Sequence, residues 1–367
     1  MFFTILAIDC KILYFRGLKD ILSMESNRDV TIYDIAKTLD ISASTVSRGL
    51  KDHPHVREGL KLLIRQTAKQ LGYQQNRFAS NLRKRQSLTL GAIIPRLNSY
   101  FMSAAISGME RIANESGYHL IISQSQEHLQ NEISAIQALF NARVDGLLVS
   151  LSAETNNLDH FEPVFHKEIP VVFFDRVLDH PQSINVVIDN YLAGYQATDH
   201  LIAMGCKQII HLGGPLLSNV YSERYRGFQQ AMKDHGLPME ENALFVDELN
   251  YHSAARVVQQ ILDRNPVPDG IFTANDSSAV ALMGGLLKAG IRVPRDVCIV
   301  GFNDDPVAQV IEPDLTTIQY PAAEMGAIAA ATLIELLKGR RSEVLKTIVL
   351  SHSLVERNSS CPRNIAE

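Results

Sequence analysis

The chain has 367 residues, of which 46% are hydrophobic and 20% charged, which allows a large core and more than one domain. Its net charge is −5 at neutral pH, so a basic character suited to nucleic acid can reside only in part of it. Cys10, Cys206, Cys298 and Cys361 form no CxxC or other metal-ligand spacing, which argues against a disulfide framework and fits a reducing cytoplasm, and no apolar run is long enough to cross a bilayer.

Residues 1–23 open with a short apolar stretch that makes a poor secretory signal. There is no basic leader, Asp9 and Lys11 interrupt the run, and no small-residue cleavage site follows. This segment is read either as a misassigned gene start, with translation from Met24, or as a genuine disordered extension.

Residues 24–75 read as a three-helix head. Thr31 and Asp34 have capping-box spacing, which marks a helix start. Ile32, Ile35, Ala36 and Leu39 then recur at helical intervals. Asp40 stands where the chain must turn, since Asp tolerates the left-handed conformation. Ser42 is placed to cap a second helix that buries Val46 and Leu50 and turns Ala43, Ser44, Ser47 and Arg48 outward. Small polar residues followed by an arginine suit a helix in a major groove; the bland alternative is a surface helical hairpin. A third amphipathic segment, 57–71, ends at Gly72, with Leu60, Leu63, Ile64, Ala68 and Leu71 expected to close the core. Charge agrees: residues 24–87 hold twelve Lys/Arg against six Asp/Glu, so only this part should seek phosphate, and its binding should weaken with salt.

Residues 76–87 (NRFASNLRKRQS) are too short to form a stable helix alone in water. From residue 88, apolar runs alternate with helix-length segments: SLTLGAII, YHLIIS, VDGLLVS, IPVVFFD, QIIHLGG, GIFTAN and VCIVGF. Such alternation predicts buried strands in parallel sheets covered by helices, an α/β fold. No strand is followed by GxGxxG or by a GxxxxGK[ST] loop, and no arrangement of Asp, Ser or His suggests catalysis. The twelve histidines are scattered, so no metal or other cofactor is expected.

The strings TIYDIAKTLDISASTVSR and LGYQQNRFASNLR, with VVFFDR, SERYRGF, TANDSSAVAL, GIRVPRDVCIVGFNDD and LTTIQYPAAEMG downstream, resemble the LacI/GalR family of bacterial transcription regulators from residue 30 to about residue 357. The resemblance implies an all-α helix-turn-helix head, a hinge helix, and a two-lobed periplasmic-binding-protein-like domain over residues 88–358, with 359–367 as a tail. The lobes are expected at 88–177 and 178–315, with 316–346 returning to the first lobe. It further implies a cytoplasmic, nucleoid-associated homodimer on a pseudo-palindromic operator in double-stranded DNA, switched by a small effector expected to be a sugar or sugar derivative.

By the same resemblance, the DNA-binding residues are Thr31, Tyr33, Ser42, Ala43, Ser44, Thr45, Ser47, Arg48, Asn76, Arg77, Ala79, Leu82 and Arg83. Leu82 would be a minor-groove wedge, with an ordinary linker as the alternative for its segment. The effector-binding residues are Tyr100, Phe101, Asp175, Arg176, Arg226, Asn275, Asp276, Asn303 and Tyr320. Alternatives remain for several of these: Asp276 as a helix cap, Arg176 as a salt-bridged rim residue, Tyr100 and Phe101 as lobe filling. The chain also departs from the family pattern at Gln75, Gly59-Leu60, Asn303 and Tyr320, which puts a phosphate contact and the identity of the effector in question.

Overall fold

The computed structural model describes residues 30–73, 86–240, 242–339 and 346–362, and the chain divides into two compact units at residue 84. The first contains α1 (Ile32–Leu39), α2 (Ala43–Leu50) and α3 (Glu58–Gln70). Their core is Ile35, Ala36, Val46, Ile64 and Ala68. At the start of α1, the Thr31 amide and hydroxyl both donate to Asp34 Oδ2 at 2.7 Å. Asp40 ends the helix in the left-handed region, φ 52°, and Gly72 does the same after α3 at φ 71°. Leu63 and Leu71 do not close the core as expected: they are 46% and 37% exposed, because the narrow seam of a three-helix unit is already filled by Ile64 and Ala68 one turn apart.

A buried lysine fastens the connection between α2 and α3. Lys61 bridges Glu58 at 2.7 Å and Asp52 at 3.2 Å, and its hydrogen bond holds the Asp52 carboxyl below the usual carboxylate range.

The second unit contains two six-stranded sheets. The first is built from β1 (Thr89–Ile94), β2 (His119–Gln124), β3 (Gly146–Val149), β4 (Val171–Phe174), β5 (Ser183–Ile188) and a late strand, β11 (Thr347–Leu350). All of its pairings are parallel, in the order β11-β5-β4-β3-β1-β2. The second contains β6 (Ile209–Gly213), β7 (Leu244–Val246), β8 (Gly270–Thr273), β9 (Cys298–Asn303), β10 (Thr316–Gln319) and the antiparallel β12 (Ser353–Val355), in the order β12-β10-β9-β8-β6-β7.

The intervening helices are α4 (Tyr100–Glu115), α5 (Leu129–Asn141), α6 (Glu162–His166), α7 (Asn190–Ala203), α8 (Asn219–Asp234), α9 (Tyr251–Leu262), α10 (Asp276–Lys288), α11 (Val307–Val310) and α12 (Ala322–Leu337). Of these, α12 packs on α4 and on β3, β4 and β5, whereas α7 packs on α8, β8 and β9. The chain therefore passes between lobes after β5, after β10 and after β11.

Two lobe boundaries differ from the expectation. The first lobe runs on through β5, whose Ser183 registers with Val171 of β4, and β10 belongs to the second lobe, where Thr316 registers with Val300 of β9. The apolar run at 118–123 reads as a buried strand, yet β2 is an edge strand with Ile121 and Ile122 42% and 40% exposed. An apolar pattern reports affinity for a sheet, not position within it.

Candidate functional site: a helical face and an interlobe cleft

In the head, Ser42 accepts from the Thr45 amide at 3.1 Å and shares a hydrogen bond with its hydroxyl at 2.8 Å. This caps α2 and fixes its first turn. Ser42, Ser44 and Arg48 are exposed, and Ala43, Thr45 and Ser47 are half-buried. Tyr33 on α1 is 69% exposed. Thr31 is half-buried and occupied in its cap. Behind this face Gly49 lies against Ile64, where a Cβ would collide with the Ile64 side chain. The result is a short polar helix whose outer side carries small groups and one cation. Asn76, Arg77, Ala79, Leu82, Arg83 and residues 1–23 lie outside the described residues.

In the second unit, a cavity of about 300 Å³ opens between the lobes at the carboxyl ends of both sheets, at the low end of ligand-pocket sizes. Phe101, Asp175, Arg176, Asn275, Asn303 and Tyr320 line it. Asp175 follows β4 at φ 59°. It accepts from Tyr320 Oη at 2.9 Å and from Ser150 Oγ at 3.3 Å. Burial raises its pKa, against the pull of Arg176 and Arg224. Tyr320, likewise buried, is pushed well above the usual phenol value and lies 4.4 Å, centroid to centroid, from Phe101.

Arg176 clasps the two lobes. It donates to Glu127 of the first lobe at 2.6 Å and to Tyr221 of the second at 3.0 Å. Burial opposes its charge, but Tyr221, Glu127 and Asp175 outweigh that and raise its pKa. Glu127 also pairs with Arg96 at 3.3 Å, and Arg96 reaches the Glu248 carbonyl of the second lobe at 3.4 Å.

Three expected residues lie elsewhere. Arg226 does not face the cavity: its side chain is 62% exposed and pairs with Glu223 on the same helix. Arg224 occupies the wall instead, because two residues along a helix rotate a side chain by about 200°. Buried, Arg224 donates to Asn190 Oδ1 and to the Ala274 carbonyl, each at 2.9 Å. Its guanidinium lies 3.4 Å over the Phe302 ring, and burial lowers its pKa. Close helix packing sets this orientation: a Cβ on Gly194 of α7 would strike the Arg224 backbone, and one on Gly227 the Tyr191 carbonyl.

Tyr100 is 54% exposed and outside the cavity lining, since α4 turns its neighbour Phe101 inward. Asp276 is fully buried behind the wall, where it accepts from Thr317 Oγ1 at 2.6 Å and from the Asp305 amide at 2.7 Å. Burial, with Asp305 and Asp304 adding to it, pushes its pKa up to about 8. The α10 cap is Asn275, which accepts from the Ser278 amide at 2.9 Å and donates to the Leu249 carbonyl at 2.9 Å.

Sequence reasoning missed Arg224, Tyr221, Glu127 and Asp305 among the lining residues. The pair of arginines in SERYRGF was the available signal, but choosing between them needed the helix phase set by Gly194 and Gly227.

The described residues therefore hold a helix-turn-helix with a polar outer face and a small cleft walled by arginines, carboxylates and aromatic rings. A family model described as bacterial regulatory proteins, lacI family, matches residues 31–76, and one described as periplasmic binding protein-like domain matches residues 198–360. The chain is 30% identical over 332 residues to the HTH-type transcriptional regulator RegA of Clostridium saccharobutylicum, a match covering 90% of this chain and 99% of that protein. Among solved structures it is similar to a lac repressor dimer bound to operator and the anti-inducer ONPF, with a TM-score of 0.79, 25% identity, and coverage of 91% of this chain and 100% of that one. It is similar also to a complex of the transcriptional regulator CelR with cellobiose, with a TM-score of 0.68, 26% identity, and coverage of 90% and 100%.

Proposed function

The chain belongs to the LacI family of bacterial regulatory proteins, a family of DNA-binding transcriptional regulators, and on that premise we propose a repressor whose grip on a pseudo-palindromic operator is set by a carbohydrate in the interlobe cleft. The observation that carries the DNA-binding half is the outer face of α2, capped at Ser42 and presenting Ser44, Ser47 and Arg48. Such a face offers a major groove hydrogen-bonding groups with no bulk to hold the helix off the base edges. One head makes few contacts, so two act together on a two-fold symmetric site. Ala43, Ser44 and Arg48 read bases. Thr31, Tyr33, Ser42, Thr45 and Ser47 orient the head on the backbone. Asn76, Arg77, Ala79 and Arg83 follow the DNA into the minor groove, with Leu82 as the wedge.

The cleft supplies the control. Phe101 and Tyr320 offer ring faces beside Asp175, Arg176, Arg224, Asn275 and Asn303, a combination suited to a compact ligand rich in hydroxyls. The similarity to a cellobiose-bound regulator favours the same class. Arg176 spans the lobes, so a ligand that alters its contacts with Glu127 and Tyr221 alters their relative stability. A coupling of about 1–3 kcal/mol to DNA affinity makes an effective switch. The ligand is sensed and not turned over.

Selection of duplexes from a random-sequence pool by the purified full chain tests the reading. Enrichment of a two-fold symmetric sequence, bound with an affinity that falls steeply with salt, is the expected result. Recovery of a pool indistinguishable from the input contradicts it.

A further inference from the structure

The carbohydrate reading of the cleft, on which this inference rests, leaves the charge of the ligand open. At the wall Arg96 and Arg176 share Glu127, and outside the lining Arg357 holds Asp304 at 2.6 Å. On the second-lobe wall the Glu248 carboxylate accepts from the Asn250 side chain at 2.9 Å, whereas two buried groups have neither a counter-ion nor a carboxylate partner. Arg224 directs its hydrogen bonds to the neutral oxygens of Asn190 and Ala274. Asp305 lines the cavity only 5% exposed, and its Oδ1 has no hydrogen-bond partner.

Asp305 is also held in place. Its amide donates to the buried Asp276 carboxyl and its carbonyl accepts from Ala308 at 2.8 Å, while Arg357 anchors the preceding residue. The Asn303 side chain donates to the carboxyl, but Oδ1 keeps no partner, and a fixed, buried acceptor atom in that state is costly until something supplies a donor. We infer that Asp305 selects the charge of the effector: it accepts a hydroxyl from a neutral polyol and turns away an anionic relative, such as a uronate or a sugar phosphate. At neutral pH an anion would bring a second negative charge beside the ionised Asp305 carboxyl, which has no cation of its own, and Arg224 alone does not offset that repulsion.

The charged and titratable groups facing Asp305 are Asp304 beside it, paired with Arg357, and Asp276 behind it. Burial, with Asp304 adding to it and the Asn303 amide opposing, pushes the Asp305 pKa up to about 6. The carboxyl is therefore mostly ionised at pH 7.5 and mostly neutral at pH 5.0.

Calorimetry on the full chain with D-glucose, D-ribose and cellobiose beside glucuronate, glucose 6-phosphate and ribose 5-phosphate provides the test. At pH 7.5 at least one neutral sugar should bind, at least tenfold tighter than its anionic counterpart. Asp305→Asn, which keeps the shape and drops the charge, should narrow that preference at least fivefold. Asp305→Leu, checked for folding by circular dichroism, should weaken the neutral sugar at least tenfold. Moving wild type to pH 5.0 should narrow its preference for glucose over glucuronate but leave that of Asp305→Asn unchanged. If a sugar binds but its anionic counterpart binds equally well, or Asp305→Asn keeps the full preference, the inference is overturned and the carbohydrate reading stands. If neither series binds, the carbohydrate reading fails and the inference falls with it.

Discussion

The head and the cleft are built on opposite principles. The head draws its outer face from consecutive residues of one eight-residue helix and sets it over a small apolar cluster, with Lys61 the one buried charge among its described residues. The cleft gathers short groups of residues from many segments between Pro95 and Tyr320, and it buries several charges, among them Asp175, Arg176, Arg224 and Asp305. A contiguous exposed face can be altered one residue at a time with local effect. A convergent buried site depends on the phase of every helix that feeds it.

The sharpest way to break this comparison is the arginine pair on α8. Arg224→Ala removes a buried cation stacked on Phe302 and strands Asn190 Oδ1, so ligand affinity should fall by about 3 kcal/mol or more. Arg226→Ala, on the exposed side of the same helix, should change it by no more than about 0.5 kcal/mol. Calorimetry on both variants reads the difference directly; equal losses would mean that the helix phase is misread.

A smaller effect belongs to the head. Arg48→Ala should cost about 1–3 kcal/mol of affinity for the selected duplex and relax base preference at one position of each half-site, leaving ligand affinity untouched. A uniform loss across all sequences would make Arg48 a phosphate contact instead.

The smallest lies at the turn. Asp40 sits at φ 52°, where glycine is free of the Cβ penalty, so Asp40→Gly should leave the head's thermal stability unchanged or raise it by up to about 1 kcal/mol. A clear loss would point to a contact made by the Asp40 side chain.

The same contrast explains what the sequence alone conveyed. The head was legible almost to the residue, since caps, periodicity and the left-handed Asp40 are local signals. Leu63 and Leu71 fit the apolar period as well as their neighbours do, but three short helices leave no room for them in the core. In the second unit the central strands were legible as apolar runs, but Ser183–Ile188 and Leu244–Val246 were not singled out, and the sheet to which Thr316–Gln319 belongs depends on pairing partners far along the chain. Asp175, Arg176, Asn275 and Asn303 could be placed because they end or follow strands. Arg224 and Asp305 could not, because their exposure is set by glycine-mediated helix packing and by a buried carboxyl behind the wall.

The central claim is that occupancy of the cleft governs the grip of the head. The most direct measurement is fluorescence anisotropy of the selected duplex with the full chain, titrated with the tightest-binding sugar at fixed salt. Operator affinity should change about 5- to 150-fold on saturation, and Arg224→Ala should remove the response while still binding duplex. Operator affinity that stays constant while calorimetry records the sugar bound would contradict the account.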